Sequence, residues 1–415
     1  MSINAAEILS QPLILQNGVT IKNRFAKSAM SETLGTTDNG PKDLLAQLYR
    51  AWALGGTGLL ITGNVMIDRR ALGEPNNVVI EDERDLAGLR QWASAAGESN
   101  TQAWVQLNHP GKQSPKMVSR QPVAPSAIAL APEFKSFFNS PRALTHDEIL
   151  EQIERFANAA RIIKKAGFSG VQIHGAHGYL VSQFLSPHHN QRNDQWGGTL
   201  DNRARFVLEV YQAIRKQVGT EFPVSIKMNS ADFQRGGFSE EESMLVAEML
   251  ADAGMDLIEI SGGNYESPNM TGKNMKASTQ AREAYFLSYA EDIRKRIKTP
   301  LMVTGGFRTE DGMANAVASG STDLVGLGRP LAVEPDFPNA ILAGESFQSR
   351  VRPRITGIKA IDDMAMMETA WYTHQLKRIA QGKTPKADEH PLVAFCRYLA
   401  VSSMRGFRTQ RLRAS

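Results

Sequence analysis

Val171-Gln172-Ile173-His174-Gly175-Ala176-His177-Gly178-Tyr179 opens as a strand-like apolar run and breaks, through glycine, into two imidazoles and a phenol within six residues. Such a cluster just past a buried strand suits a site that donates hydrogen bonds to an oxygen and a proton to a carbon. The same pattern of a short apolar run followed by an amphipathic helical stretch recurs from about residue 24 to residue 340, which is the signature of βα units and a parallel sheet. Eight runs are readable: Arg24 to Ser28, Leu59 to Gly63, Gln102 to Leu107, Gly170 to His174, Val224 to Asn229, Met255 to Ser261, Leu301 to Gly305 and Leu324 to Leu327. Eight units in about 300 residues predict an α/β fold of the (β/α)8 TIM-barrel class rather than an open doubly wound sheet.

The connections support this reading. Thr145-x-x-Glu148 and Ser239-x-x-Glu242 are capping boxes that start helices. The first leads into Ile149, Ile153, Phe156, Ala160 and Ile163, an apolar stripe at helical spacing that should cover the sheet. Ahead of the first run, Pro12 to Ile21 carries Gln16-Asn17-Gly18, a hairpin signal that would plug the barrel floor. Two connections are long, Pro110 to Arg142 and Tyr179 to Leu200, and both leave the carboxyl ends of strands, where barrel active sites lie. Residues 1–350 are therefore expected to form the barrel and 351–415 a helical extension, with helices from Ile358 to Ala380 and Pro391 to Met404 and a basic tail holding Arg405, Arg408, Arg411 and Arg413. That extension should either pack on the barrel or join copies of the chain in a homo-oligomer.

Composition narrows the class of function. With 47 basic and 43 acidic side chains the net charge is only +4, too mild to argue for nucleic acid or a membrane surface. The single cysteine, Cys396, excludes an intrachain disulfide and cysteine-ligated zinc or iron-sulfur sites, and is expected to serve packing. Met1 to Pro12 has no basic stretch followed by an apolar one, and no segment approaches the roughly 20 apolar residues of a membrane span, so a cytoplasmic location is expected. Near the barrel's end, Val303-Thr304-Gly305-Gly306-Phe307 and Val325-Gly326-Leu327-Gly328-Arg329-Pro330 close strands seven and eight. Glycine there lets backbone amides approach a phosphate, and Arg329 would add a charged donor. Metal ligation by the histidine pair is not expected, because neither H-E-x-x-H nor a suitable third ligand accompanies it.

The first strand ends in Ser28-Ala29-Met30-Ser31, the second in Thr62-Gly63-Asn64, the third in Gln106-Leu107-Asn108 and the fifth in Ile226-Lys227-Met228-Asn229. With His174-x-x-His177-Gly178-Tyr179-Leu180, Gln183 to Pro187, Asn190-x-Arg192-x-Asp194-x-Trp196-Gly197-Gly198 and Asn202-Arg203-x-Arg205-Phe206, the chain resembles the Old Yellow Enzyme family of FMN-dependent oxidoreductases over roughly Ile14 to Ala343. The resemblance implies a tightly bound FMN, NADH or NADPH as a transient reductant, and ping-pong reduction of an alkene activated by a carbonyl or nitro group. It implies that His174 and His177 bind the acceptor's oxygen and that Tyr179 protonates its carbon. A flavin site would include Ser28, Ala29, Met30, Ser31, Gly63, Gln106, His174 and Lys227, with Gly305, Gly306, Gly328 and Arg329 on the phosphate. Asn108, His174, His177 and Tyr179 would line the substrate pocket.

Reduced flavin gives hydride to the β carbon of a conjugated alkene, charge develops on the carbonyl oxygen, and paired imidazole N–H groups stabilise it there. A phenol of ordinary pKa about 10 stays protonated and can supply the α proton. The chain departs from the commonest family pattern with Ala29 for proline, Ser31 for threonine or cysteine, Lys227 for arginine, Trp196 for tyrosine, and Asn108 where many members place a pocket tryptophan. Lys227 keeps the charge but loses the bidentate fork, and Asn108 should give a roomier, more polar pocket. Two further readings stay open: an FMN barrel that dehydrogenates or demethylates an amine, and a non-catalytic flavin-binding protein.

Overall fold

A computed structural model describes residues 4–264, 266, 286–352, 354–358 and 365–396. Eight parallel strands close on themselves: β1 (Phe25–Lys27), β2 (Leu59–Ile61), β3 (Gln102–Asn108), β4 (Gly170–Gly175), β5 (Val224–Asn229), β6 (Leu257–Ser261), β7 (Leu301–Thr304) and β8 (Leu324–Leu327). Each pairs with the next, and Val325 opposite Phe25 joins β8 to β1. The strands alternate with helices α1 (Asp43–Leu54), α2 (Leu86–Ala96), α3 (His146–Ala166), α4 (Leu200–Val218), α5 (Glu240–Asp252), α6 (Leu287–Arg294) and α7 (Glu310–Ala318). The protein is a (β/α)8 barrel, and all eight strands fall on the runs read from the sequence.

Strand alternation divides the core in two. Outward residues such as Phe25, Leu60, Val105, Ile173, Ile226, Ile258, Val303 and Val325 pack against the helices in one cluster. The stripe on α3 joins them, with Ile149, Phe156, Ala160 and Ile163 fully buried. Both predicted capping boxes form, at Thr145 with Glu148 and at Ser239 with Glu242.

Inward residues near the amino ends of the strands form a second apolar cluster of Ala26, Leu59, Ile61, Trp104, Leu257, Met302 and Leu324. Leu13, Leu15 and Ile21 of the amino-terminal hairpin complete it, with Leu13 paired to Ile21 and Gly18 turning the chain at φ 84°. The hairpin therefore plugs the barrel floor. Trp104 fills the interior beside Gly170, where a Cβ would stand 2.5 Å from the indole Cδ1.

The long connections carry structure of their own. Val123–Ala124 pairs with Arg142–Ala143 in the loop after β3, and Leu180–Leu185 is a short helix after β4. Beyond the barrel, α8 (Arg329–Val333) follows β8, and a later helix, α9 (Ala365–Ala380), packs on α1 and α8. Ile358 is not helical, 391–396 are helical, and the rest of the second candidate helix, with Arg405, Arg408, Arg411 and Arg413, lies outside the described residues. Cys396 is exposed, which corrects the expectation that it serves packing. No helix among the described residues is long and apolar enough to cross a membrane.

Ile21 sits fully buried between hairpin and barrel floor. Ile21→Ala should cost about 2–5 kcal/mol by cavity creation, read as a lower urea midpoint at unchanged slope; an unaltered midpoint would show that the hairpin does not close the core.

Candidate active site

The carboxyl half of the barrel interior is polar. Gln106 on β3 donates through Nε2 to Gln172 Oε1 on β4 at 2.8 Å, and Gln172 donates through Nε2 to Glu259 Oε2 on β6 at 2.8 Å. Glu259 Oε1 also accepts from Lys227 Nζ on β5 at 2.9 Å and from Thr304 Oγ1 on β7 at 2.7 Å. Thr304 Oγ1 lies 2.8 Å from Ser28 Oγ, and because its proton goes to the carboxylate, Ser28 is the donor of that pair. Gly326 leaves the room, since a Cβ there would collide with Thr304 Oγ1. Six side chains, five on strands and Ser28 just past the end of β1, thus form one belt across a barrel whose floor is apolar.

Above the belt stand His174, His177 and Tyr179. The His174 ring lies 5.1 Å from that of His177 and 4.7 Å from that of Tyr179, both edge to face. His177 has φ 61°, in the left-handed region that a non-glycine residue enters at a cost of roughly 1–3 kcal/mol. Its N–H donates to Asn229 Oδ1 at 3.1 Å, its C=O accepts from Gln113 Nε2 at 2.9 Å, and its Nε2 lies 2.8 Å from Ser261 Oγ. Those contacts hold the imidazole in place. Burial first, then the charge of Lys227, pushes the pKa of both histidines well below the ordinary value, so both rings are neutral at physiological pH.

Several buried polar atoms here have no partner among the described residues: Gln106 Oε1, His174 Nδ1, and both Nδ2 and Oδ1 of Asn108. Asn108 is fully buried on the inward face of β3, two residues beyond Gln106. Orphaned groups of this kind cost about 1–3 kcal/mol each unless a ligand or water satisfies them. Their convergence on the carboxyl ends of β3 and β4 is what a flat polar heterocycle and a polar acceptor would need.

The remaining predicted residues lie just past the carboxyl ends of β1, β2, β7 and β8. Gly63 allows close approach of Met30 O, and its N–H donates to Glu32 Oε1 at 3.2 Å. Ala29 is half-buried at the end of β1. Ser31 donates its hydroxyl proton to Glu74, a partner absent from the sequence reading. Gly305 and Gly306 follow β7 at φ 107° and 96°, and Gly328 precedes α8. Arg329 pairs with Glu368 of α9 at 3.5 Å, so the predicted phosphate donor already has an acidic neighbour. The second half of the opening motif is architectural: Asn190 Nδ2 donates to Phe184 O and Trp196 O, and Arg192 pairs with Asp194 while donating to Pro125 O and Leu144 O.

Gln172, Glu259, Ser261 and Thr304 were missed by the sequence reading. The available signal was parity, because Leu257, Glu259 and Ser261 alternate inward as do Gly170, Gln172 and His174. No group of three or more metal-ligating side chains occurs among the described residues.

The chain is similar to known proteins over most of its length. The model of the NADH:flavin oxidoreductase / NADH oxidase family matches residues 9–346. The NADH-dependent flavin oxidoreductase iliE of Hypocrea jecorina (strain QM6a) is 37% identical over 358 residues, covering 80% of this chain and 88% of that protein. An old yellow enzyme homologue from Zymomonas mobilis superposes with TM-score 0.69 at 26% identity, covering 83% of this chain and 94% of the other. The 2-naphthoyl-CoA reductase complex gives TM-score 0.76 at 30% identity over 82% of this chain, which spans about half, 53%, of that chain.

Buried histidines also link the stability of the fold to acid. Burial pushes His109 down to about 4, and burial together with Lys112 pushes His189 down to about 2. A histidine whose folded pKa lies below its unfolded value near 6.5 stabilises fully above about pH 6.5, and that contribution fades as pH falls toward the folded value. The denaturation midpoint should therefore drop progressively between about pH 6.5 and 4. His109→Asn, which keeps an acceptor for the Gly111 N–H that now meets His109 Nδ1 at 3.0 Å, should show a shallower fall, and an equal slope would remove His109 from the account.

Proposed function

The chain belongs to the NADH:flavin oxidoreductase / NADH oxidase family, and from that premise we propose that it reduces carbon–carbon double bonds activated by a carbonyl or nitro group. It is a flavin-dependent oxidoreductase with FMN as cofactor and NAD(P)H as reductant. The observation that carries the alkene reading is the cluster of two neutral imidazoles and a phenol, ring against ring, above a barrel interior that holds Lys227 and an unpartnered Gln106 Oε1.

When bound, FMN supplies hydride chemistry, taking a hydride from the nicotinamide and giving it to the acceptor. Gln106 and Lys227 would hold its pyrimidine edge, Ser28 to Ser31 and Gly63 would flank it, and Gly305, Gly306, Gly328 and Arg329 would hold its phosphate. His174 and His177 grip the acceptor's oxygen and stabilise charge that develops there, which neutral N–H donors in a dry site do without reorganising. The left-handed backbone at His177, fixed by Asn229 and Gln113, keeps that donor from turning away. Tyr179 delivers the proton to the carbon beside the carbonyl, a task that suits a phenol, whose ordinary pKa is about 10. Asn108 offers a polar wall to the acceptor.

Tyr179→Phe should slow acceptor-dependent reoxidation of reduced enzyme by at least about tenfold, within the range of general-acid contributions, while reduction by NAD(P)H in stopped flow stays within about twofold. Equal slowing of both half-reactions would remove the proton-donor role. Reduction of the bound flavin by an amine without nicotinamide would instead favour amine oxidation.

A further inference from the structure

Glu259 is fully buried and accepts from three side chains on three strands. A carboxylate can only accept hydrogen bonds, and this property dictates the orientation of everything tied to it. Gln172 must offer Nε2 to Glu259, so its Oε1 turns toward Gln106. Gln106 must then offer Nε2 to Gln172, which leaves Gln106 Oε1 as the unpartnered atom at the end of the chain. The pyrimidine edge of an oxidised flavin has one ring N–H donor, flanked by two carbonyl acceptors, so an amide fixed with its oxygen outward matches that donor and one fixed with its NH2 outward does not.

The second consequence is electrostatic. Lys227 Nζ is buried and lies 2.9 Å from Glu259 Oε1, so the charge it presents to its surroundings is offset by an anion in a low-dielectric interior. Two-electron reduction of flavin with uptake of one proton adds one net negative charge, which an unopposed lysine would favour more than a paired one.

We propose that Glu259 is a positioning residue for the flavin: it aims the Gln106 carbonyl at the pyrimidine edge and, by offsetting Lys227, holds the flavin's reduction potential below the value that a lone lysine would set. The proposal rests on the reading that Gln106 and Lys227 meet that edge. In this role Glu259 acts through Lys227 and Gln172, the side chains it holds.

The test is the midpoint potential of the FMN-loaded enzyme by dye equilibration, with FMN affinity measured on the same proteins. Glu259→Gln removes the anion at constant shape and should raise the potential while weakening FMN binding roughly tenfold, the equivalent of one misdirected hydrogen bond. Thr304→Val removes one donor from Glu259, leaves more of its charge to Lys227, and should lower the potential, which keeps the proposal testable if Glu259→Gln does not fold. Lys227→Met should lower the potential and is the control for the underlying reading. A shift with Lys227→Met but none, or a downward one, with Glu259→Gln overturns the role of Glu259 and leaves the reading of Lys227 standing. No shift with Lys227→Met removes Lys227 from the flavin edge and the proposal with it.

Discussion

A charged carboxylate sealed from water must be satisfied completely or it destabilises the fold, and in this barrel that demand falls on Glu259. Lys227, Gln172 and Thr304 answer it from β5, β4 and β7, and Ser28 and Gln106 are drawn in behind them. Because the donors come from different strands, the belt forms only when the barrel has closed in the observed register. Removing one donor leaves a buried acceptor short, at a cost of about 1–3 kcal/mol. The apolar floor supplies the complementary constraint: Trp104 and the hairpin residues Leu13, Leu15 and Ile21 keep water from reaching the belt from below. The polar layer is thus dry on one side and turned toward the loops on the other.

The loops make use of that dryness. Gln183 Nε2 donates to Gly178 O at 2.7 Å and to Pro110 O at 3.2 Å, while Gln113 reaches His177 O, so the connections after β3 and β4 are laced over the strand ends. Behind them, Lys112 Nζ lies 3.0 Å from His189 Nδ1. Burial by these elements is what keeps the imidazoles neutral. The same packing that holds the histidine pKa values down links the fold to acid, because each buried imidazole must be charged at low pH.

Much of this was legible in the sequence, and the reason is periodicity. A strand buried on both faces is an apolar run, a capping box marks where its following helix begins, and eight repeats of that pair imply closure. The histidine and tyrosine cluster was legible because polar residues interrupted a buried strand at its end. The Glu259 belt was not, although its residues lie in the same strands. In Leu257-Ile258-Glu259-Ile260-Ser261 one acid among apolar neighbours reads as an imperfection, and only the barrel brings it to Lys227, 32 positions away, and Gln172, 87 positions away. Partnerships such as Ser31 with Glu74 and Arg329 with Glu368 have no periodic signal at all, because they join loops and an appended helix rather than repeats.

Lys227 is the position where belt and histidine cluster meet. A bidentate guanidinium could have gripped a carboxylate and a ligand together, whereas a lysine ammonium is a compact charge that follows its nearest anion. With Glu259 at 2.9 Å that anion is fixed beneath the site, and the charge felt above it is a difference between two opposed groups rather than the property of one. The two histidines share in that difference, because Lys227 is one of the causes that hold their pKa values down. A change at Glu259 would reach His174 and His177 through Lys227 as well as any ring bound beside it. A substitution at Glu259 on β6 therefore changes the charge that Lys227 presents to the mouth of the barrel.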